Sequence, residues 1–125
     1  MAMRMLCRIA ALSFALTPGL ALAQAGDAAA GEKLYQARCG SCHSLDANRI
    51  GPAHRGVFGR AAASAPGYAY SPALKASGII WTQQTLDQWL QGPQKMAKGA
   101  KMFFTVANPA ERAAIIAYLK AQSGK

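Results

Sequence analysis

The chain has 125 residues, 52% of them hydrophobic, with 14 Lys and Arg against 5 Asp and Glu for a net charge of +9. That length holds one domain, and the composition excludes collagen, coiled coil and a chain disordered throughout. No run reaches the roughly 18 uninterrupted apolar residues of a membrane-spanning helix.

The first segment does not read as part of the fold. Arg4 and Arg8 form a positive start, and Ile9 to Ala23 is an apolar stretch broken by Pro18 and Gly19. Ala21-Leu22-Ala23 then supplies a small-x-small cleavage site, overlapped by Ala23-Gln24-Ala25. Residues 1–23 are therefore expected to be a secretory signal, with cleavage after 23 or 25, and 24–125 the folded domain. An uncleaved anchor is the competing reading, which the short, Pro-broken stretch disfavours. Cys7 leaves with the signal and is assigned no role.

Losing Arg4 and Arg8 lowers the charge to +7. About 100 residues bury only a modest core and usually need a staple. Cys39 and Cys42 are the only cysteines left. A disulfide across so short a loop removes little unfolded-state entropy. The staple must be something else.

Asp27 is a candidate cap for a helix over about 28–38, with Leu34 and Tyr35 on its apolar face. Residues 39–67 carry Gly40, Gly51-Pro52, Gly56, Gly59 and Pro66-Gly67 and read as loop. Ser71-Pro72 opens a short helix to about 77, closed by Gly78. Thr82 caps a helix over 83–91, where Leu86 and Leu90 share a face and Gly92-Pro93 ends it. Residues 94–107 read as a second loop, rich in Lys and Met. Asn108-Pro109-Ala110-Glu111 has the pattern of a capping box, starting a helix to about 122 with Ile115, Ile116 and Leu119 apolar. No useful strand pattern or repeat appears. About four short helices and two long loops remain, and loops of that length need an organiser. A bound cofactor would serve.

Cys39-Gly40-Ser41-Cys42-His43 is C-x-x-C-H, the pattern of covalent c-type haem attachment. Two thiols three positions apart each reach one vinyl group on the same porphyrin edge, and the adjacent imidazole projects under the iron. A zinc site would have to join Cys39, Cys42, His43 and His54, with two of these adjacent in sequence. A thioredoxin-like redox pair lacks its βαβ surroundings. A plain disulfide leaves His43 unexplained.

From Gly31 to Lys120 the chain resembles the small class I cytochromes c. The likeness runs through the haem motif, Gly51-Pro52 to Val57-Phe58-Gly59-Arg60, Gly67-Tyr68-x-Tyr70-Ser71 and Trp81-Thr82 with Thr85-Leu86-Asp87. It continues through Lys101-Met102-x-Phe104 and Glu111-Arg112-Ala113 to Ala117-Tyr118-Leu119-Lys120. The resemblance implies an all-α fold wrapped around one covalently attached haem c. Cys39 and Cys42 would form the thioethers, with His43 and Met102 as axial ligands to iron. Taken alone, Met102 beside Phe103 and Phe104 reads as core filling, and Met96 is a rival. The family places its ligand after Gly-x-Lys, which Gly99-Ala100-Lys101-Met102 satisfies. Pro52 would accept a hydrogen bond from His43, and Arg60, Tyr70 and Trp81 would hold a propionate. Tyr68 is not separable from Tyr70 in this role. Gly31 and Tyr35 match the face of the first helix that crosses the last near Ile115 and Tyr118. His54, as the only other histidine, is a candidate sixth ligand. Its position is usually apolar and on the His43 side, so a packed loop histidine is the preferred reading.

The sequence departs from the family around Met102. Lys98 stands where many members have Pro, Ala100 where they have Thr, and Trp89 where a Tyr often faces the Met sulfur. These changes predict a looser loop and a weaker Fe–Met bond, which Lys95, Lys98 or Lys101 could replace.

The five acids are scattered, three near helix N-termini, and no catalytic constellation stands out. The expected function is a periplasmic one-electron carrier, not an enzyme, with the haem closed by His43 and Met102. The alternatives are a haem enzyme or gas-binding protein with an open sixth position, or the dedicated electron acceptor of one dehydrogenase. Lys95, Lys98 and Lys101 would steer acidic redox partners to a monomeric, membrane-free carrier. A merely solvated loop is the plainer reading of these lysines, and nucleic acid is disfavoured because no stacking aromatics are interleaved with them.

Overall fold

The computed structural model describes residues 19–124. Most of the expected leader therefore lies outside the described residues. Five helices are present among those described: α1 (Gly19–Arg38), α2 (Pro72–Ala76), α3 (Gln83–Gln91), α4 (Pro93–Met96) and α5 (Pro109–Ser123). None is long and apolar enough to cross a membrane. The only β pairing among the described residues is an isolated antiparallel bridge between Ala61 and Ile80.

α1 begins earlier than the sequence suggested. The run Leu20-Ala21-Leu22-Ala23-Gln24-Ala25 is built of strong helix formers, so the helix extends through it and Asp27 lies inside rather than at a cap. α5 crosses α1, and Gly31 is the point of closest approach. A Cβ built there would lie 1.9 Å from the carbonyl oxygen of Ala114, so only glycine fits. Tyr35, one turn on, packs its ring 5.2 Å from that of Tyr118. Arg38 closes the crossing with an ion pair to Glu111 at 2.7 Å. Glu111 is thereby engaged away from the expected capping box. The α5 cap is one-sided, with Asn108 accepting from the backbone N–H groups of Ala110 and Glu111. The reciprocal box forms at α3 instead. Thr82 accepts from Thr85 N–H at 3.2 Å and Thr85 accepts from Thr82 N–H at 2.8 Å.

α3 turns Leu86, Trp89 and Leu90 inward against Ile115, Ile116 and Leu119 of α5. Asp87 and Arg112 lock the two helices. Arg112 is 7% exposed and donates from Nε to Asp87 at 2.7 Å, while its Nη1 donates to the carbonyls of Val106 and Ala107. That pairing accounts for Asp87 better than a helix terminus does. Within the expected loop 94–107, Pro93 starts the single turn α4, because Gly92-Pro93 both ends α3 and fits a first helical position.

Candidate haem site

α1 ends where the chemistry starts. The N–H groups of Cys39 and Gly40 donate to the carbonyl of Tyr35, and His43 N–H donates to that of Cys39. This turning chain delivers both thiols and the His43 ring to one cavity of about 710 Å³. Burial pushes the Cys39 thiol up to about 11, with the neighbouring Cys42 adding to the rise. The two cysteines form no disulfide. Among the described residues, no group of three or more acidic, Cys and His side chains is placed to hold a metal ion.

His43 is held from two directions. Its Nδ1 donates to the carbonyl of Pro52 at 2.8 Å, which leaves Nε2 as the free lone-pair nitrogen. Gly51 passes so close that a Cβ there would sit 2.2 Å from Cε1 of the ring. Burial holds the imidazole below its ordinary pKa, opposed by the Pro52 hydrogen bond, so the neutral ligating form is favoured. His54 stacks on His43 with centroids 3.9 Å apart and lies on the same side of the cavity.

Met102 comes from the far loop and also lines the cavity, whereas Met96 does not. Its sulfur accepts a hydrogen bond from Nε1 of Trp89 at 3.2 Å. The hydroxyl of the family's Tyr is absent, as Trp89 implies, and the indole N–H donates in its place. The expectation of a loose loop also meets a counterweight. Gln94 donates to the carbonyls of Ala100 and Met102 at 2.7 and 2.8 Å and accepts from Gly99 N–H at 3.0 Å. One side chain thus ties the loop where a proline is missing.

Arg60, Tyr70 and Trp81 line the same cavity, as does Pro52. Two Arg60 nitrogens donate to the carbonyls of Arg55 and Ala53, but its Nε is buried without a partner. Such an orphan asks for an acceptor, and a propionate would supply one. Tyr70 and Tyr68, alike in sequence, separate in the structure. Tyr68 donates its proton to the carbonyl of Ile50, while Tyr70 accepts from Ala65 N–H and keeps its own proton to give. Trp81 is buried, edge-on to Trp89 at 5.2 Å. Two thiols, one neutral imidazole, one thioether and an unsatisfied guanidinium nitrogen around an apolar cavity fit a covalently held haem.

The three lysines part company. Lys95 and Lys98 are exposed and lie outside the cavity lining. Lys101 lines the cavity mouth, donates to the carbonyl of Ala69 and stands 5.6 Å over the Tyr68 ring. Phe103 and Ile50, 75% and 74% exposed, stand at the same mouth.

Comparison with known proteins gives one answer. Residues 28–123 match the family model described as Cytochrome c. Cytochrome c of Euglena viridis is 44% identical over 98 residues, covering 76% of this chain and 96% of that protein. Cytochrome c2 of Rhodomicrobium vannielii is 37% identical over 122 residues, covering 94% and 97%. Among solved structures, cytochrome cH from Methylobacterium extorquens superposes with a TM-score of 0.73 at 49% identity, covering 77% of this chain and 99% of its own.

Proposed function

Because this chain belongs to the cytochrome c family, we propose that His43 and Met102 are the axial ligands of its haem and that it shuttles electrons in the periplasm between respiratory or dehydrogenase redox partners. The protein is an electron carrier, not an enzyme, and carries one covalently bound haem c. That haem supplies one-electron exchange between ferric and ferrous iron.

The observation that carries the ligand assignment is the convergence of Cys39, Cys42, His43 and Met102 on a single cavity, with both proposed ligand atoms already oriented. Pro52 holds His43 Nδ1–H, raising the donor strength of Nε2. Trp89 occupies one sulfur lone pair of Met102, leaving the other for iron. Arg60 and Tyr70 offer a proton each to a propionate, and Trp81 walls its site. Closure from both sides leaves no position for a substrate, so the residues have only to hold two oxidation states in one geometry.

Residues 1–23 act as the export signal in this reading, with 24–125 as the mature domain. The exposed Lys95 and Lys98 guide an acidic partner to the cavity, where Phe103 and Ile50 are exposed, giving short-lived, salt-sensitive contacts to a monomeric carrier.

The test is the visible spectrum of the mature holoprotein, reduced, with and without carbon monoxide. A six-coordinate low-spin spectrum unaffected by carbon monoxide is expected at neutral pH. Rapid carbon monoxide binding would overturn the Met102 assignment and favour a haem protein with an open sixth position.

A further inference from the structure

Against His43 lies a pair of side chains that the ligand set does not use. His54 stacks nearly parallel on the His43 ring, with centroids 3.9 Å apart and planes inclined by 18°. His54 is itself fixed. Its backbone N–H donates to the carbonyl of Ser44 at 3.0 Å, and its Nδ1 shares a hydrogen bond of 3.0 Å with the Tyr35 hydroxyl. Tyr35 is only 4% exposed and wedged against Tyr118 at the crossing of α1 and α5.

We propose that His54, anchored by Tyr35, is a positioning residue that sets the plane of the proximal imidazole of His43. The inference rests on His43 being the axial ligand. The hydrogen bond to Pro52 fixes one atom of that ring and the Gly51 backbone limits it near Cε1, but the ring is still free to swing away from Gly51. A flat neighbour stacked on its face removes this freedom, provided the neighbour cannot itself turn. An aliphatic side chain would fill the same volume but present no plane and no hydrogen-bonding atom. His54 presents both, and the Tyr35 hydroxyl holds its orientation. The orientation of the ligand is thereby tied to the close crossing of α1 and α5, since Tyr35 follows Gly31 by one turn on α1. An imidazole plane fixed relative to the porphyrin decides which iron orbital holds the unpaired electron in the ferric state.

The experiment compares the ferric holoproteins of the parent, Tyr35→Phe and His54→Leu. Tyr35→Phe keeps the buried ring and deletes only the hydroxyl, so it tests the anchor without opening a cavity. Paramagnetically shifted haem-methyl proton resonances and the anisotropy of the electron paramagnetic resonance signal both report the axial ligand plane. Both variants are expected to retain a low-spin spectrum and to redistribute the methyl shifts in the same sense, His54→Leu further than Tyr35→Phe. Parent-like methyl shifts and signal anisotropy in Tyr35→Phe would overturn the inference, whether or not His54→Leu matures. A parent protein that is not low-spin would instead defeat the axial-ligand assignment, which this experiment reads separately.

Discussion

Trp89 Nε1 donates a hydrogen bond to the sulfur of Met102 at 3.2 Å, placing an indole where the family often has a phenol. The donor withdraws electron density from a sulfur that, as the proposed ligand, would bind iron in both oxidation states. That weakens the bond to the electron-poor ferric ion more than the bond to ferrous ion. Trp89→Phe is therefore expected to lower the midpoint potential and strengthen ferric Met ligation. A neutral hydrogen bond contributes about 0.5–1.5 kcal/mol. At roughly 59 mV per tenfold in a one-electron couple, the shift is bounded at about 60 mV. Redox titration of the two proteins checks it, and a rise in potential would contradict this account.

Gln94 makes three hydrogen bonds to the loop of Met102 and none of them depends on a charge. Gln94→Ala should release the loop at a cost of about 1–3 kcal/mol, because two carbonyls and an N–H lose their partner. Loss of Met102 ligation in the ferric protein on raising pH should then begin roughly one to two pH units earlier. The sulfur-to-iron charge-transfer band, followed through an alkaline titration, reports it directly.

Gly31 is irreplaceable for a backbone reason. In Gly31→Ala the new methyl meets the Ala114 carbonyl at 1.9 Å, which neither helix can yield without separating. The gain in helix propensity, about 1 kcal/mol, offsets part of the cost. A net loss of about 1–3 kcal/mol is expected from denaturant unfolding of the holoprotein. Unchanged stability would mean that the two helices cross elsewhere.

Asp46 receives Arg55 through two nitrogens, at 2.5 and 2.9 Å, and this hydrogen bonding holds its carboxyl below the ordinary aspartate range. A depressed pKa stabilises the fold above the unfolded value and the contribution fades as pH falls through the folded value. The pair is exposed, so the effect is small. Asp46→Asn should be slightly less stable than the parent at pH 5, with the difference fading as pH falls below the ordinary aspartate range. Paired denaturation curves across that range supply the check.

Lys95 and Lys98 are free at the surface while Lys101 is engaged with Ala69. Lys95→Gln with Lys98→Gln should slow association with an acidic redox partner several-fold at low salt and flatten its ionic-strength dependence. Stopped-flow electron transfer measures both. Lys101→Gln should act more on the Met102 loop than on association, visible as an earlier alkaline transition.

The haem attachment was fully legible from five consecutive residues, because covalent chemistry demands a fixed local spacing. Helix α3, the Asn108 cap and the α5 boundaries were legible for a similar reason, since caps and prolines act within three or four residues. Asp27 as a cap was not, because the helix-forming run before it continues the helix. The partners at long sequence separation were out of reach. Asp87 with Arg112, 25 residues apart, reads as two unrelated surface charges until α3 and α5 are packed. Tyr35 with His54, 19 residues apart, reads as a core aromatic and a loop histidine. Gln94 carries no sequence signal at all.

The sequence by itself determined the cofactor's attachment, the helix starts and stops, and which methionine follows the family's Gly-x-Lys pattern. Only the tertiary structure decided which N–H reaches the Met102 sulfur, which tyrosine keeps a proton to give, and what stands behind His43. Spacing along the chain fixes what neighbours within a turn can do, whereas a hydrogen bond or a ring stack depends on distances of a few tenths of an ångström between segments that meet only when the helices pack.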